Sequence, residues 1–327
     1  MPPANRTEPV RAKSSDSRIS FMEFMQEFPD DSACLDYLWR TRYAEDGEHA
    51  ECPKCQQVRS FKRYETTQRR QSWTCTGCGH HIHPTAGTIF HKSSTSLHLW
   101  FYAIYLVSSS RCGIAAKQLE RELGVNYKTA LRMLHLIRQD LMEQDYQGPL
   151  SGEVEVDSAY VGGQLHMGEK KRLWKTGEWN HGAATKERAM IFAATERKGR
   201  MRASVVGSSR TQREASARIK EDLYEFVLPG SMIFTDDWGG YNSMEKAGAY
   251  SFRRIRHSQR IYVEGEVHTN TVEGFFGHFK TDLRGTHHSV STRWLPGYLN
   301  EWVWKWNHRD DDRAMFRSLL DNAAAPA

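Results

Sequence analysis

Residues 153–163 read EVEVDSAYVGG. Val154 and Val156 alternate with Glu153, Glu155 and Asp157, the period of a β-strand, and Gly162-Gly163 closes it in a turn. An acid at the end of such a strand is unusual. Burying Asp157 is costly unless a cation or a donor compensates. Residues 232–237, Met232-Ile233-Phe234-Thr235-Asp236-Asp237, repeat the pattern of an apolar strand ending in acid. Asp236 is favoured as the functional member because it comes first after the strand, with Asp237 as the alternative. Between the two acids, residues 164–187 read as a polar, basic loop. Residues 189–195 and 201–206 read as a hairpin around Lys198-Gly199, and residues 211–226 as a helix through Ala215, Ile219, Leu223 and Phe226, ended by Pro229-Gly230.

A third element lies at residues 268–280, HTNTVEGFFGHFK. The pattern predicts a helix from about Asn270, capped by Thr269 or Asn270. Glu273 and Lys280 stand seven positions apart, two turns, and so share a face. Three carboxylates from two strand ends and one helix suit a two-metal phosphoryl-transfer site. Their hard oxygens match Mg²⁺ or Mn²⁺, and Lys280 is placed to approach a phosphate. The bland alternatives are that Asp157 caps a turn and that Glu273 and Lys280 are solvated helix residues. The order of strands and helices is compatible with a ribonuclease-H-like α/β domain.

Upstream, Cys52-Pro-Lys-Cys55 and Cys75-Thr-Gly-Cys78 are separated by nineteen residues. Two such knuckles each aim two sulfurs at one ion and together complete a tetrahedron, so structural Zn²⁺ is expected in a ribbon of short strands at residues 59–65 and 72–75. His80, His81 and His83 are secondary ligand candidates. Cys34 and Cys112 read as ordinary buried thiols. Residues 113–141 follow with Ala115, Leu119 and Leu123 on one helical face, a break at Gly124-Val125, and a second stripe at Ala130, Met133, Leu134, Ile137 and Leu141. Two short helices around a Gly turn read as a helix-turn-helix, with Asn126, Lys128, Thr129 and Arg132 facing DNA; an ordinary helical hairpin is the alternative.

Charge supports this placement. Residues 53–140 carry 13 Lys and Arg against four Asp and Glu, whereas residues 1–52 carry six against eleven. A basic segment of this length is the footprint of phosphate binding. The longest apolar stretch, Leu97 to Val107, is interrupted by His98 and falls short of the ~18 residues that a membrane span needs. No apolar signal core opens the chain, so a secreted or membrane protein is disfavoured. The expected organisation is a disordered tail at 1–18, N-terminal helices at 19–50, the zinc ribbon at 51–90, and a helical DNA-binding region at 91–148. A catalytic domain follows at 149–310, then a C-terminal tail at 311–327. The Trp302 to Trp306 run reads as packing rather than base stacking, and His257, His268, His287 and His288 as weak candidates for proton transfer.

The ordered set CPKC…CTGCGHH, LGVNYKTALRMLHLIR, VEVDSAYVGG, IFTDDWGGY, HTNTVEGFFGHFK and YLNEWVWKWNHR resembles insertion-sequence DDE transposases of the Merlin-like group. These join an N-terminal zinc ribbon to a ribonuclease-H-like catalytic domain. The resemblance spans roughly residues 20–310. It implies Asp157, Asp236 and Glu273 as metal-binding acids and Lys280 as a DNA contact. Some relatives use an Asn as the third ligand, which makes Asn270 a competitor for Glu273. Ser158 departs from the acidic residue common in relatives. The implied reaction is hydrolysis at transposon ends, then attack of the freed 3′-OH on target DNA. The implied partners are the terminal inverted repeats, target DNA and further copies of the chain, a homodimer or higher, in a synaptic complex. The implied location is the cytoplasm, at the bacterial nucleoid. The rival readings are a catalytically inactive DNA-binding regulator derived from a transposase, which has no reason to retain the acids, and a standalone nuclease, which needs little sequence reading.

Overall fold

The computed structural model describes residues 19–65, 71–142, 148–162, 172, 175–176, 188–197, 199–208, 212–236, 241–246, 248–255, 268–288, 290–311 and 313–325. The tail expected at 1–18, most of the loop expected at 164–187, and Asp237 and His257 lie outside them. The chain forms two units, Met1–Met142 with His308–Ala327, and Glu143–Asn307.

In the first unit, α1 (Phe21–Glu27) opens on a reciprocal cap. The Ser20 hydroxyl accepts from the Glu23 amide at 3.2 Å, and the Glu23 carboxylate accepts from the Ser20 amide at 2.7 Å. Asp30 caps α2 (Asp31–Arg42) in the ordinary way. The strands β1 (His49–Cys52), β2 (Gln57–Glu65), β3 (Gln71–Cys75) and β4 (His81–Ile82) pair antiparallel in sequential order. So small a sheet has little core of its own. It borrows one from α2, where Trp39 stacks on Trp73 with ring centroids 4.8 Å apart and planes 9° from parallel.

Next come α3 (Leu97–Ser109), α4 (Ala116–Leu123) and α5 (Tyr127–Leu136), the last running into a π-helical turn at Ile137–Leu141. Gly124 ends α4 with φ of 63°, a conformation that glycine adopts freely. Leu119 and Leu123 on α4 and Ala130, Met133 and Leu134 on α5 are buried, the stripes that the spacing predicts. Cys34 is buried as expected. Cys112 is not: it sits exposed in the turn between α3 and α4.

In the second unit, β5 (Glu153–Val161), β6 (Ala189–Glu196), β7 (Met201–Ser208), β8 (Met232–Asp236) and β9 (Ser251–Ile255) form one sheet ordered β7-β6-β5-β8-β9. β6 runs antiparallel to both neighbours, while β8 is parallel to β5 and β9 is parallel to β8. Helix α6 (Gln212–Phe226) covers one face, packing Ala215, Ile219, Leu223 and Phe226 on Val154, Val156, Phe192 and Ile233. A short α7 (Asn242–Lys246) follows β8. Helices α8 (Asn270–Gly285) and α9 (Leu295–Asn307) cover the other face, packing Phe275, Phe279 and Val303 on Val161, Ile191, Ala193 and Ala203. Trp302 and Trp306 pack against this second cluster, as their shared helical face predicts.

The chain then returns to the first unit. Residues 311–327, expected as a tail, contain α10 (Met315–Ala324), a correction to the sequence reading. Phe316, Leu319, Leu320 and Ala323 recur at helical spacing and bury one stripe. The Phe316 ring meets Phe24 and Phe28 edge-on at 5.7 and 5.9 Å, and Arg317 pairs with Glu27.

Candidate functional site

Two groups of candidate side chains emerge, one in each unit. In the first unit the hairpin ends carry Cys52, Cys55, Cys75 and Cys78, and their sulfurs all lie within 4.8 Å of one another. Cys52 Sγ stands 3.6 Å from Cys78 Sγ, and Cys55 Sγ 4.0 Å from Cys75 Sγ. A tetrahedron with metal–sulfur bonds of about 2.3 Å has edges of about 3.8 Å, so these four fit one zinc-sized ion. The spacing is far too long for disulfides, and all four are free thiols. Burial pushes the Cys52 thiol up, but the backbone N–H groups of Cys55 and Lys54 outweigh it and bring the group down to about 7. His81, one of the secondary ligand candidates, instead lies 2.8 Å from the Thr74 hydroxyl. A Cys₄ cluster that can hold a structural zinc therefore stands where the two knuckles predict it.

In the second unit, β5 alternates its side chains between the two covered faces, so Glu155 and Asp157 point to the α8 side. The parallel register pairs Glu155 with Phe234. Carried on by two residues, the same offset sets Asp157 beside Asp236 on the neighbouring strand. Burial is the largest influence on Asp157 and pushes its carboxyl up to about 7. The Ser158 amide opposes this with a 2.6 Å hydrogen bond, the negative charges of Asp236 and Glu273 add to it, and Lys280 opposes it. Two acids and one lysine, from a neighbouring strand and from α8, thus act on Asp157. Burial also lowers the Lys280 ammonium from its usual value, against the opposite pull of Asp157. Glu273 is exposed on the first turn of α8 and accepts from the Thr269 hydroxyl at 2.6 Å. Asn270 is the first residue of that helix and is exposed. Among the described residues only the four thiols bring their ligand atoms all within 4.8 Å; the carboxylates are more loosely grouped.

Two participants escaped the sequence reading. Tyr241, fully buried, has its phenol raised first by burial and then by the charges of Asp157 and Asp236. Glu155 is fully buried one pleat before Asp157 and accepts from the Thr271 and Val272 amides at 2.8 and 3.2 Å. It performs the capping that was expected of Thr269 or Asn270. Thr269 does occupy the cap position, but its hydroxyl serves Glu273. The signal for Glu155 was present, since alternation in EVEVD puts it on the face of Asp157.

The other predicted contacts fall on α5. Lys128 and Arg132 are exposed and Thr129 half-buried. Asn126 caps the helix, its side-chain oxygen accepting from the Thr129 amide at 2.9 Å.

Residues 149–307 match the family model of the ISXO2-like transposase domain. Over those residues, just under half of its length, the chain is similar to the insertion-sequence transposases. The chain is 26% identical over 248 residues to an uncharacterized protein in the transposable element ISH50 of Halobacterium salinarum, covering 75% of this chain and 77% of that one. No solved structure matches the chain. The matched domain coincides closely with the second unit and contains all three acids. The family implies DNA as a partner; the Merlin-like label is narrower than these findings. Among the described residues no helix is long and apolar enough to cross a membrane.

Proposed function

We propose that the chain is an active DDE transposase that cuts transposon ends and joins the freed 3′-OH to target DNA by two-metal phosphoryl transfer. The observation that carries the reading is that the charges of Asp236, on the strand beside β5, and of Glu273, on the helix over that face, both act on Asp157. The strand order β7-β6-β5-β8-β9 with only β6 reversed supports a ribonuclease-H-like domain. The donor set fits Mg²⁺ or Mn²⁺, because hard carboxylates crowded against one another gain most from a divalent ion. Their loose grouping suits two ions about 3.5–4 Å apart better than a single-ion cage. Such ions, when bound, neutralise the scissile phosphate and favour ionisation of the attacking hydroxyl.

The chain's own residues hold this arrangement. Asp157 and Asp236 are fixed by neighbouring strands, Glu273 by Thr269. Glu273 is taken as the third ligand because it brings a negative charge that acts on Asp157 and would offset the charge of the ions, which the neutral Asn270 would not. Lys280, two turns along α8 and within reach of the Asp157 charge, would donate to a non-bridging phosphate oxygen. In the first step water bonds to phosphorus as the transposon 3′ oxygen departs with a proton. In the second, that 3′-OH bonds to a target phosphorus as the target's 3′ oxygen departs, and the proton of the attacking hydroxyl ends on the departing oxygen. Each step makes one P–O bond and breaks one, the first leaving a 5′-phosphate on the flanking strand and the second a new phosphodiester, and no covalent enzyme intermediate is required. Two ends must be cut together, so the working form is a dimer or larger on DNA.

The test is a strand-transfer assay with the cognate terminal inverted repeats and Mg²⁺. Joined products support the reading. End binding without cleavage would replace it with an inactive regulator, and cleavage without end preference with a general nuclease.

Helices α4 and α5, with the left-handed Gly124 between them, support a helix-turn-helix whose second helix enters the major groove. Lys128→Ala and Arg132→Ala are each expected to weaken end binding and to reduce the slope of log affinity against log salt by about one. An unchanged salt slope in both variants would remove α5 from the interface.

A further inference from the structure

Resting on the two-metal reading above, we propose that Glu155 and Arg197 form a positioning pair that sets the spacing of the three acids. Glu155 is fully buried, and no water shell offsets its charge. Apart from Arg197, its observed partners come from α8, which carries Glu273, or from the residues that lead into it. Its Oε2 accepts from the Thr271 and Val272 amides at 2.8 and 3.2 Å. Its Oε1 accepts from the Thr271 hydroxyl at 3.1 Å and lies 3.1 Å from His268 Nδ1. The carboxylate thus sits at the positive N-terminal end of α8, one turn from Glu273, although it comes from 116 residues earlier in the chain.

Arg197 completes the frame. Its Nε is 3.3 Å from Glu155 Oε1, and its terminal nitrogens reach Glu153 and the His268 carbonyl, each at 3.3 Å. Its guanidinium lies 3.7 Å from the centre of the Phe234 ring. Phe234 pairs with Glu155 across β5 and β8 and precedes Asp236 by one pleat. Strand β5 holds Asp157, β8 holds Asp236, and α8 holds Glu273. The pair therefore touches all three supports close to the acids and touches none of the acids itself. A purely apolar contact would resist separation of these elements but leave them free to slide. Five hydrogen bonds, two further charged contacts and one ring contact restrict sliding as well.

Glu155→Gln tests this in the full-length protein. A glutamine keeps the shape and one acceptor, but presents an NH₂ to donors that faced a carboxylate oxygen. The primary readout is Mn²⁺ binding without DNA, followed by the electron paramagnetic signal of free Mn²⁺. The expected result is a dissociation constant raised roughly tenfold or more, the range for groups that orient metal ligands. The Thr271 and Val272 amides should exchange faster, with end binding unchanged. Asp157→Ala in the same titration separates the two claims. If Asp157→Ala loses Mn²⁺ affinity while folded Glu155→Gln keeps that of the unmodified protein, the positioning role is overturned and the two-metal reading stands. If Asp157→Ala itself binds Mn²⁺ like the unmodified protein, the two-metal reading falls first. Should Glu155→Gln fail to fold, Thr271→Val decides, since it removes one donor and keeps the buried charge. A rise of roughly threefold is expected there, and unchanged affinity overturns the proposal.

Discussion

Asp157→Ala is expected to abolish strand cleavage and joining while leaving end binding intact. The carboxylate stands among like charges, and losing it removes a ligand from ions whose charge stabilisation is worth several kcal/mol in the transition state. At about 1.4 kcal/mol per tenfold, the rate should fall by roughly a thousandfold or more. The fold should survive. Burial and the nearby negative charges of Asp236 and Glu273 already disfavour the ionised Asp157 in the absence of cations, so a neutral side chain relieves repulsion. Gel-shift affinity for the terminal repeats and the thermal midpoint check those two points. Cleavage by Asp157→Ala at the rate of the unmodified protein would defeat the catalytic assignment.

The second large effect concerns the thiol cluster. Cys75→Ser, or exhaustive chelation, is expected to remove one equivalent of zinc, measured by atomic absorption, and to unfold residues 49–82. Free energies of about 10–16 kcal/mol accompany structural zinc binding in zinc-finger peptides. A four-stranded sheet this small has few other means of support. Trp39 and Trp73 provide a local reporter, since loss of their stacked contact should shift tryptophan emission to the red. End binding should weaken in step. The Glu143–Asn307 unit has its own two-faced core and should keep its protection from amide exchange. A metal-free protein with the ribbon's amides still protected would refute the structural role.

The legible parts of this molecule were those in which chemistry repeats at short range. Two knuckles of CxxC fixed the thiol site because both ligands of each pair lie within one turn. The EVEVD alternation gave β5 its faces, and the seven-residue interval from Glu273 to Lys280 placed both on one side of α8. Strand β9, reading SFRRI, was hidden because it is an edge strand with two charged residues in the middle: Arg253 is exposed, and Arg254 is half-buried only because Asn242 and Glu245 pair with it. The clamp at Glu155 was hidden for another reason: its partners at residues 268, 271 and 272 are more than a hundred positions away, and no local pattern announces such a pairing. Helix α10 is the instructive miss. Phe316, Leu319, Leu320 and Ala323 carry an amphipathic period, but its partners, Phe24 and Phe28, lie at the opposite end of the chain.

That return of the chain has a consequence for how the protein is made. A ribosome delivers α1 to α3 long before α10, so while Phe101, Tyr102 and Tyr105 can meet Phe24 and Phe28 early, the side that Phe316 covers waits through the synthesis of nearly three hundred intervening residues. The α/β unit, contiguous from Glu143 to Asn307, can close on itself before the unit that encloses it in sequence is complete.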